Sequence, residues 1–218
     1  DVDEIYATNI VGTRHLLQAL VDENVAPTSV LLASSANVYG NQQGGMIGET
    51  AAPHPANDYA VSKLAMEYVA HLYATRLPII ITRPFNYTGV GQSPSFLIPK
   101  IVEHVRRRAP EIELGNLDVA RDFSDVRSVV DAYARLLTAP GAVGGTFNIC
   151  SGQAYPLRQV LDLCERITGH AMRIRVNPAF ARANEVRTLC GDKTHLEQVI
   201  GPVAMPPLEE TLRWMLQA

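Results

Sequence analysis

The sequence predicts a doubly wound α/β protein, and three observations predict it. Two aliphatic runs, residues 28–33 and 77–82, are too continuously apolar for strands with one wet face and fit buried parallel strands. A stretch of helical period, residues 59–76, lies between them, so strand, helix and strand alternate. Both strands run out into polar residues, Ser34-Ser35 and Arg83-Pro-Phe-Asn86, at the carboxyl end where open parallel sheets bind ligands.

The chain opens directly in a helix over residues 1–23, with Ile5, Leu16, Leu17 and Leu20 as its apolar stripe. No strand precedes it, and no Gly-x-Gly-x-x-Gly or Gly-x-x-Gly-x-x-Gly occurs anywhere, so the first βαβ units of the expected domain are absent from these 218 residues. Gly12, inside the helix, costs about 1 kcal/mol relative to Ala. It is therefore expected to admit the close approach of another backbone. Asn9 reads either as a surface amide or as one that ties the helix to a neighbouring strand beside a cofactor. Residues 41–57 are rich in Gly, Pro and polar residues and read as a loop. Asn57-Asp58 are good helix caps, and Val61, Leu64, Ala65, Tyr68, Val69 and Leu72 then recur at helical spacing.

Beyond Gly91 the pattern predicts a helix over 96–108, with Arg106-Arg-Arg108 as a solvated end matching the helix dipole rather than a phosphate site. Short strands follow at 112–114 and 119–123, either side of Gly115-Asn116. A helix over 125–137 carries Val126, Val129, Val130, Tyr133, Leu136 and Leu137 on its apolar face. The strand 146–150 ends at Ser151-Gly152. A helix over 157–167 is closed by Gly169, and a strand over 172–176 follows. Residues 178–191 read as irregular, and helices over 193–199 and 208–216 complete the chain. There is no internal repeat.

The 218 residues are 47% hydrophobic and 19% charged, ordinary for a globular protein, and no run of about 18 apolar residues suggests a membrane span. The net charge of −3 gives no reason to expect nucleic acid or an anionic membrane as a partner. Cys150, Cys164 and Cys190 are odd in number and widely spaced. They fit reduced thiols of the cytoplasm better than disulfides or a zinc site.

The chemistry is expected at Tyr59-Ala-Val-Ser-Lys63. Four residues along a helix put both side chains on one face, about 5–6 Å apart at Cβ. An ammonium beside a phenol favours the phenolate, so Lys63 is expected to lower a Tyr59 pKa that is ordinarily about 10 and make it a proton donor and acceptor. Alone the pair is a common helix surface. Its context is what distinguishes it.

The ordered set Asn9-Ile-Val-Gly-Thr13, Ser34-Ser-Ala-Asn-Val-Tyr-Gly40, Tyr59-Ala-Val-Ser-Lys63, Arg83-Pro-Phe-Asn86, Arg121-Asp-Phe-Ser-Asp-Val126 and Asn148-Ile-Cys-Ser-Gly152 resembles the extended short-chain dehydrogenase/reductase family of nucleotide-sugar enzymes. The resemblance spans the whole chain. It implies a Rossmann-like domain lacking roughly its first 75–90 residues, with a small C-terminal α/β substrate domain. The division it implies assigns residues 1–90 to the cofactor domain, with 117–150 partly returning to it, and residues 91–116 and 151–218 to the substrate domain.

Carried over position by position, the resemblance makes Ser35, Tyr59 and Lys63 the catalytic set. Ser35 and Tyr59 would bond the sugar C4 oxygen, and Lys63 would hold the cofactor ribose. Asn9 and Phe85 would lie near an NAD or NADP cofactor. Asn37 and Asn86 would meet the substrate, and Arg121 and Arg182 would grip its diphosphate with guanidinium forks. Arg121 has an alternative role as an ion pair with Asp122 or Asp125. The resemblance also implies a homodimer through helices 3–23 and 59–76, with Val69, Leu72 and Tyr73 as spare apolar surface.

Three activities compete within the family. Dehydratases usually carry Glu where this chain has Asn37, and an amide cannot do acid–base work. Epimerases fit the Ser–Tyr–Lys set but commonly carry His where this chain has Asp125. The strings Arg83 to Gln92, Arg121 to Arg127 and Asn148 to Gly152 look most like GDP-4-keto-6-deoxy-D-mannose reductases, which make GDP-rhamnose. A cofactor-binding regulator without turnover is the outsider, and it has no need of an intact Ser–Tyr–Lys set.

Overall fold

The computed structural model describes residues 1–40, 45–180 and 187–218. In chain order the elements begin with α1 (Val2–Tyr6), a π-helical turn (Ala7–Gly12), α2 (Thr13–Asp22), β1 (Val30–Ala33), a 3₁₀ turn (Ala36–Tyr39), α3 (Asp58–His71), β2 (Ile79–Pro84) and β3 (Asn86–Thr88). They continue with α4 (Leu97–Arg106), β4 (Glu111–Leu114), β5 (Ala120–Asp125), α5 (Val126–Thr138), β6 (Thr146–Ile149), β7 (Ala154–Pro156) and α6 (Leu157–Thr168). The chain ends through β8 (Arg173–Val176), a 3₁₀ turn (Pro178–Phe180), β9 (Thr188–Leu189), α7 (Thr194–Ile200) and α8 (Leu208–Gln217).

The two aliphatic runs are parallel neighbours, as their continuity predicts. Val30 faces Ile79 and Ala33 faces Thr82, with α3 as the crossover between them. β6 joins the other side of β2, also parallel. Alternation along β2 shows why a strand with two covered faces reads as unbroken hydrophobicity. Ile79 and Ile81 enter one cluster with Leu17, Met66 and Ala70, while Ile80 enters another with Val129, Leu136 and Phe147. Each fully buried Ile contributes about 1.5–3 kcal/mol. The sheet thus has helices on both faces.

A second core gathers later residues, among them Ile101, Val105, Ile112, Val160 and Leu212. The strands either side of Gly115-Asn116 do not pair with each other. β4 pairs with β8, and β5 lies between β3 and β7 while also meeting β9. β3, β7 and β9 are absent from the sequence reading because segments of two or three residues are too short to show a period. Gly169 closes α6 in the left-handed conformation, φ 67°, as the pattern predicts. Arg106, Arg107 and Arg108 are exposed, as expected of a solvated helix end.

Three local expectations are corrected. Gly12 meets no foreign backbone: a Cβ there would touch the Ala7 carbonyl oxygen of its own turn, at 3.6 Å. The first helix is interrupted by a π turn at Asn9, a feature often found at functional sites. Finally, the apolar stripe of α3 is split: Leu64 and Val69 pack against the core, and the rest faces outward. Val61, Tyr68 and Leu72 are exposed, Leu72 to 74%, whereas Ala60, Ser62, Met66, Glu67 and Ala70 are buried. The inner face of α3 thus mixes small and polar residues with Met66, which joins the core of Leu17 and Ile81. Tyr73, predicted to be spare surface, is buried in the core.

Candidate active site

Asn57 starts α3 by accepting the Ala60 amide at 2.9 Å, which fixes the turn that presents Tyr59. Ser35 caps the 3₁₀ turn just beyond β1, accepting the Asn37 amide at 3.2 Å. The two come near each other: the Ser35 hydroxyl is close enough to the Tyr59 phenol to favour its ionised form. Lys63, one turn further along α3, sends its Nζ to the Ala33 carbonyl at 2.9 Å. Ser35, Tyr59 and Lys63 are therefore gathered at the carboxyl end of β1.

The electrostatics differ from the expectation in one respect. Burial raises the Tyr59 pKa, the Ser35 hydroxyl opposes the rise, and nearby Tyr87 adds to it. Lys63 is not what favours the phenolate here. Its Nζ is 5.9 Å from the Tyr59 ring centre and committed to Ala33, and burial lowers its own pKa.

Asn9 does not reach a strand. Its Nδ2 donates to Ser62 Oγ at 2.9 Å, and Ser62 donates to the Tyr59 carbonyl at 2.8 Å. Asn9 thus braces the first turn of α3 through Ser62, a buried serine inside the Tyr59–Lys63 motif that its residue pattern did not single out. Tyr6 donates to Asp58 at 2.9 Å and ties α1 to the same helix start.

Below the pair lies a buried polar chain. Arg83 holds Glu67 bidentately, at 2.9 and 2.6 Å, and donates to the Tyr39 hydroxyl at 3.0 Å. Tyr39 donates to Asn148 Oδ1 at 2.7 Å, and Asn148 in turn donates to Glu49 at 2.8 Å and to the Ile47 carbonyl at 2.8 Å. Gly40 ends the motif that carries Tyr39, with φ 60°, and a Cβ there would sit 1.8 Å from the His54 carbonyl oxygen. Only glycine allows that approach.

The other predicted site residues scatter more. Phe85 is enclosed, 4% exposed, in a cluster with Tyr39 and Cys150, and its amide donates to the Ile149 carbonyl at 2.8 Å. Asn37 and Asn86 are exposed, and Asn86 Nδ2 lies 3.4 Å from the Asp122 carbonyl. Arg121 Nη1 bonds the carbonyls of Ala120 and Arg187 at 2.9 and 3.3 Å. Asp122 and Asp125, considered as its partners, are occupied by other donors. Buried Asp122 accepts the Ser151 hydroxyl and the amides of Ser151, Gly152 and Gly191. Asp125 caps α5 and accepts Arg127 and Thr211. Arg182 lies outside the described residues. The three cysteines are free and buried. Among the described residues no cluster could hold a metal, and no helix is long and apolar enough to cross a membrane.

A two-sided parallel sheet with Ser, Tyr and Lys converging at a strand end defines an extended short-chain dehydrogenase/reductase. The family model described as GDP-mannose 4,6 dehydratase matches residues 2–215, and the chain belongs to that family. It is 38% identical over 196 residues to the GDP-6-deoxy-D-talose 4-dehydrogenase of Aggregatibacter actinomycetemcomitans, covering 90% of this chain and 66% of that protein. It is 36% identical over 217 residues to the GDP-6-deoxy-D-mannose reductase of Pseudomonas aeruginosa, covering 95% and 71%. The chain thus spans about two thirds of the length of these relatives. Among solved structures, a Burkholderia cenocepacia J2315 protein provisionally described as an epimerase superposes with TM-score 0.95 at 56% identity, covering 99% of this chain and 71% of that one. RMD from Pseudomonas aeruginosa, complexed with NADPH, superposes with TM-score 0.90 at 33% identity, covering 97% and 73%.

Proposed function

We propose that the protein reduces the C4 ketone of a nucleotide-linked 4-keto-6-deoxyhexose, converting GDP-4-keto-6-deoxy-D-mannose to GDP-D-rhamnose. The observation that carries this reading is the gathering of Ser35 and Tyr59 at the end of a parallel strand, with Lys63 one turn away and bonded to the Ala33 carbonyl. The two GDP-6-deoxyhexose oxidoreductases among the relatives support it. NADPH or NADH supplies the hydride when bound. Tyr59 gives its phenolic proton to the developing C4 alkoxide, and Ser35 steadies the same oxygen. The residues present fit such a cofactor. Lys63 spends one of its three N–H donors on Ala33, leaving the ammonium able to meet a ribose diol. The Ser34 hydroxyl beside it is buried with no partner among the described residues. Asn9 braces the helix below, and Phe85 is assigned beside the cofactor. Asn37, Asn86, Arg121 and Arg182 are assigned to the substrate, and residues 91–116 and 151–218 form the unit that holds it. The free cysteines suit a cytoplasmic location.

The test is an assay of the full-length protein with the keto sugar and each reduced cofactor. Stoichiometric cofactor oxidation that depends on the sugar supports the reading. Interconversion of 4-hydroxy sugars without net oxidation would replace it with an epimerase, the second reading, which the Burkholderia neighbour favours. Arg121→Ala is expected to raise KM for the nucleotide sugar about 10–100-fold, the worth of hydrogen bonds to a charged group, with kcat little changed. An unchanged KM would remove Arg121 from the diphosphate grip.

The assembly proposed is a homodimer of two-fold symmetry. Leu16 on α2 and Val61, Tyr68 and Leu72 on α3 present apolar surface that this chain does not cover. A second copy applying the same face would bury both stripes in a four-helix contact. Light scattering of the full-length protein is expected to give a dimer, and Leu72→Glu a folded monomer. A wild-type monomer would discard the contact.

A further inference from the structure

The Glu67–Arg83–Tyr39–Asn148 chain joins the two segments that must meet for Ser35 to touch Tyr59. Glu67 lies on α3 four residues after Lys63 and eight after Tyr59, so its attachment point is on the same helical face as the reacting pair. Tyr39 ends the 3₁₀ turn that Ser35 begins. Arg83, on the central strand β2, grips both: Glu67 with two hydrogen bonds and Tyr39 with one, its guanidinium also lying 4.9 Å over the Tyr39 ring. Asn148, on β6, holds Tyr39 from the far side and is itself fixed to Glu49 and Ile47. Arg83, Glu67, Tyr39 and Asn148 are all at least nine-tenths buried. Charged groups are costly to bury, and four elements converge on this one network. None of the four side chains touches Ser35 or Tyr59 in a hydrogen bond.

We propose that this buried chain is the positioning device of the site: it fixes the Ser35 turn relative to the Tyr59 helix and so sets how closely the Ser35 hydroxyl approaches the Tyr59 phenol. The proposal rests on the reading of Ser35, Tyr59 and Lys63 as the reacting set. Glu67, Arg83, Tyr39 and Asn148 are positioning residues, and they act through the placement of Ser35. Second-layer contacts of this kind hold reacting groups within a few tenths of an ångström, which is what catalysis requires of them.

Tyr39→Phe tests this most cleanly, because it keeps the ring and removes only the hydroxyl between Arg83 and Asn148. The readout is the ionisation of Tyr59 itself. It is taken from near-ultraviolet phenolate absorbance after a rapid pH jump, as the difference between each full-length protein and its Tyr59→Phe counterpart. The groups bearing on that phenol are Ser35, Tyr87 from β3, Tyr133 from α5, and Lys63 from its own helix. Of these, Ser35 shares the 3₁₀ turn with Tyr39. Loosening the Ser35 contact removes the one influence that opposes the raised pKa, so the shift is upward. Tyr39→Phe is expected to lower the acidity of Tyr59 about threefold to tenfold, the range set by the net worth of one hydrogen bond. Ser35→Ala is expected to do the same, and the double variant no more than Ser35→Ala alone. A Tyr59 titration unmoved by Tyr39→Phe, or effects of the two changes that add, would overturn the proposal. Should Tyr39→Phe not fold, Glu67→Asp keeps the charge pair, shortens its reach by one methylene and carries the same readout. If the titration moves as expected while turnover of the keto sugar does not, the positioning role stands and the assigned reaction falls.

Discussion

Tyr59→Phe is expected to lower kcat of the full-length protein about 10²–10⁴-fold, the usual contribution of a positioned general acid. The ring remains, and with it the packing of α3. In the proposed reaction, what is lost is the proton that neutralises the C4 alkoxide as hydride arrives. KM is expected to stay within a few-fold, because binding energy resides in the nucleotide diphosphate and not at the reacting carbon. The direction of the pH dependence follows from the same group. In the free protein, burial holds the Tyr59 pKa above its ordinary 10.0. Reduction needs the protonated phenol, so activity is retained through neutrality and lost only as the pH rises through that raised value. Parallel measurement of kcat, KM and the alkaline limb decides the matter. Full activity in Tyr59→Phe would discard the mechanism.

Glu67→Gln carries the largest expected effect on stability. The side chains of Arg83 and Glu67 are 9% and 4% exposed, and the pair is bidentate. Burial disfavours the Arg83 cation, yet the hydrogen bonds and charges of Glu67 and Tyr39 outweigh it and hold its pKa above the ordinary value. Replacing the carboxylate with an amide of the same shape leaves a buried guanidinium without a counter-charge. Breaking one side of such a pair costs about 3–5 kcal/mol. For a chain of this size that corresponds to a fall in melting temperature of roughly 6–20 °C. Removing the charge from both sides, as Glu67→Gln with Arg83→Met, is expected to cost less than the sum of the single changes, since no orphaned charge remains. A Glu67→Gln denaturation midpoint equal to that of the wild type would show that the pair contributes nothing net.

Much of the architecture was legible in residue order alone. Continuous aliphatic runs revealed β1 and β2 as parallel. β2 is buried throughout, and a strand covered on both faces has no polar alternation to show; β1, the end strand of its sheet among the described residues, is only partly buried. The four-residue step from Tyr59 to Lys63, the Asn57 cap and the Gly169 stop are local matters of backbone geometry, and local geometry is written in neighbouring residues. The meeting of Ser35 with Tyr59 was legible too, but only through the resemblance, since nothing in a spacing of two dozen residues dictates a contact.

What the tertiary structure alone decided concerns partners distant in sequence. The period of α3 announced an apolar stripe and was silent on which side would be covered, and the folded chain turned Tyr68 and Leu72 outward. Arg83 sits within a motif singled out at once, yet its partners are 16 and 44 residues away, and Tyr39 finds Asn148 at a separation of 109. Asn9 was aimed at a strand and found Ser62 on a helix, 53 residues on. Lys63 was expected to act on Tyr59 and was instead drawn to the Ala33 carbonyl, because a half-buried ammonium takes the nearest acceptor. Helical period and chain order determine the elements and the faces available to each. Which buried charge meets which is set by long-range packing, where the cost of an unpaired ion forces a partner wherever in the chain it lies.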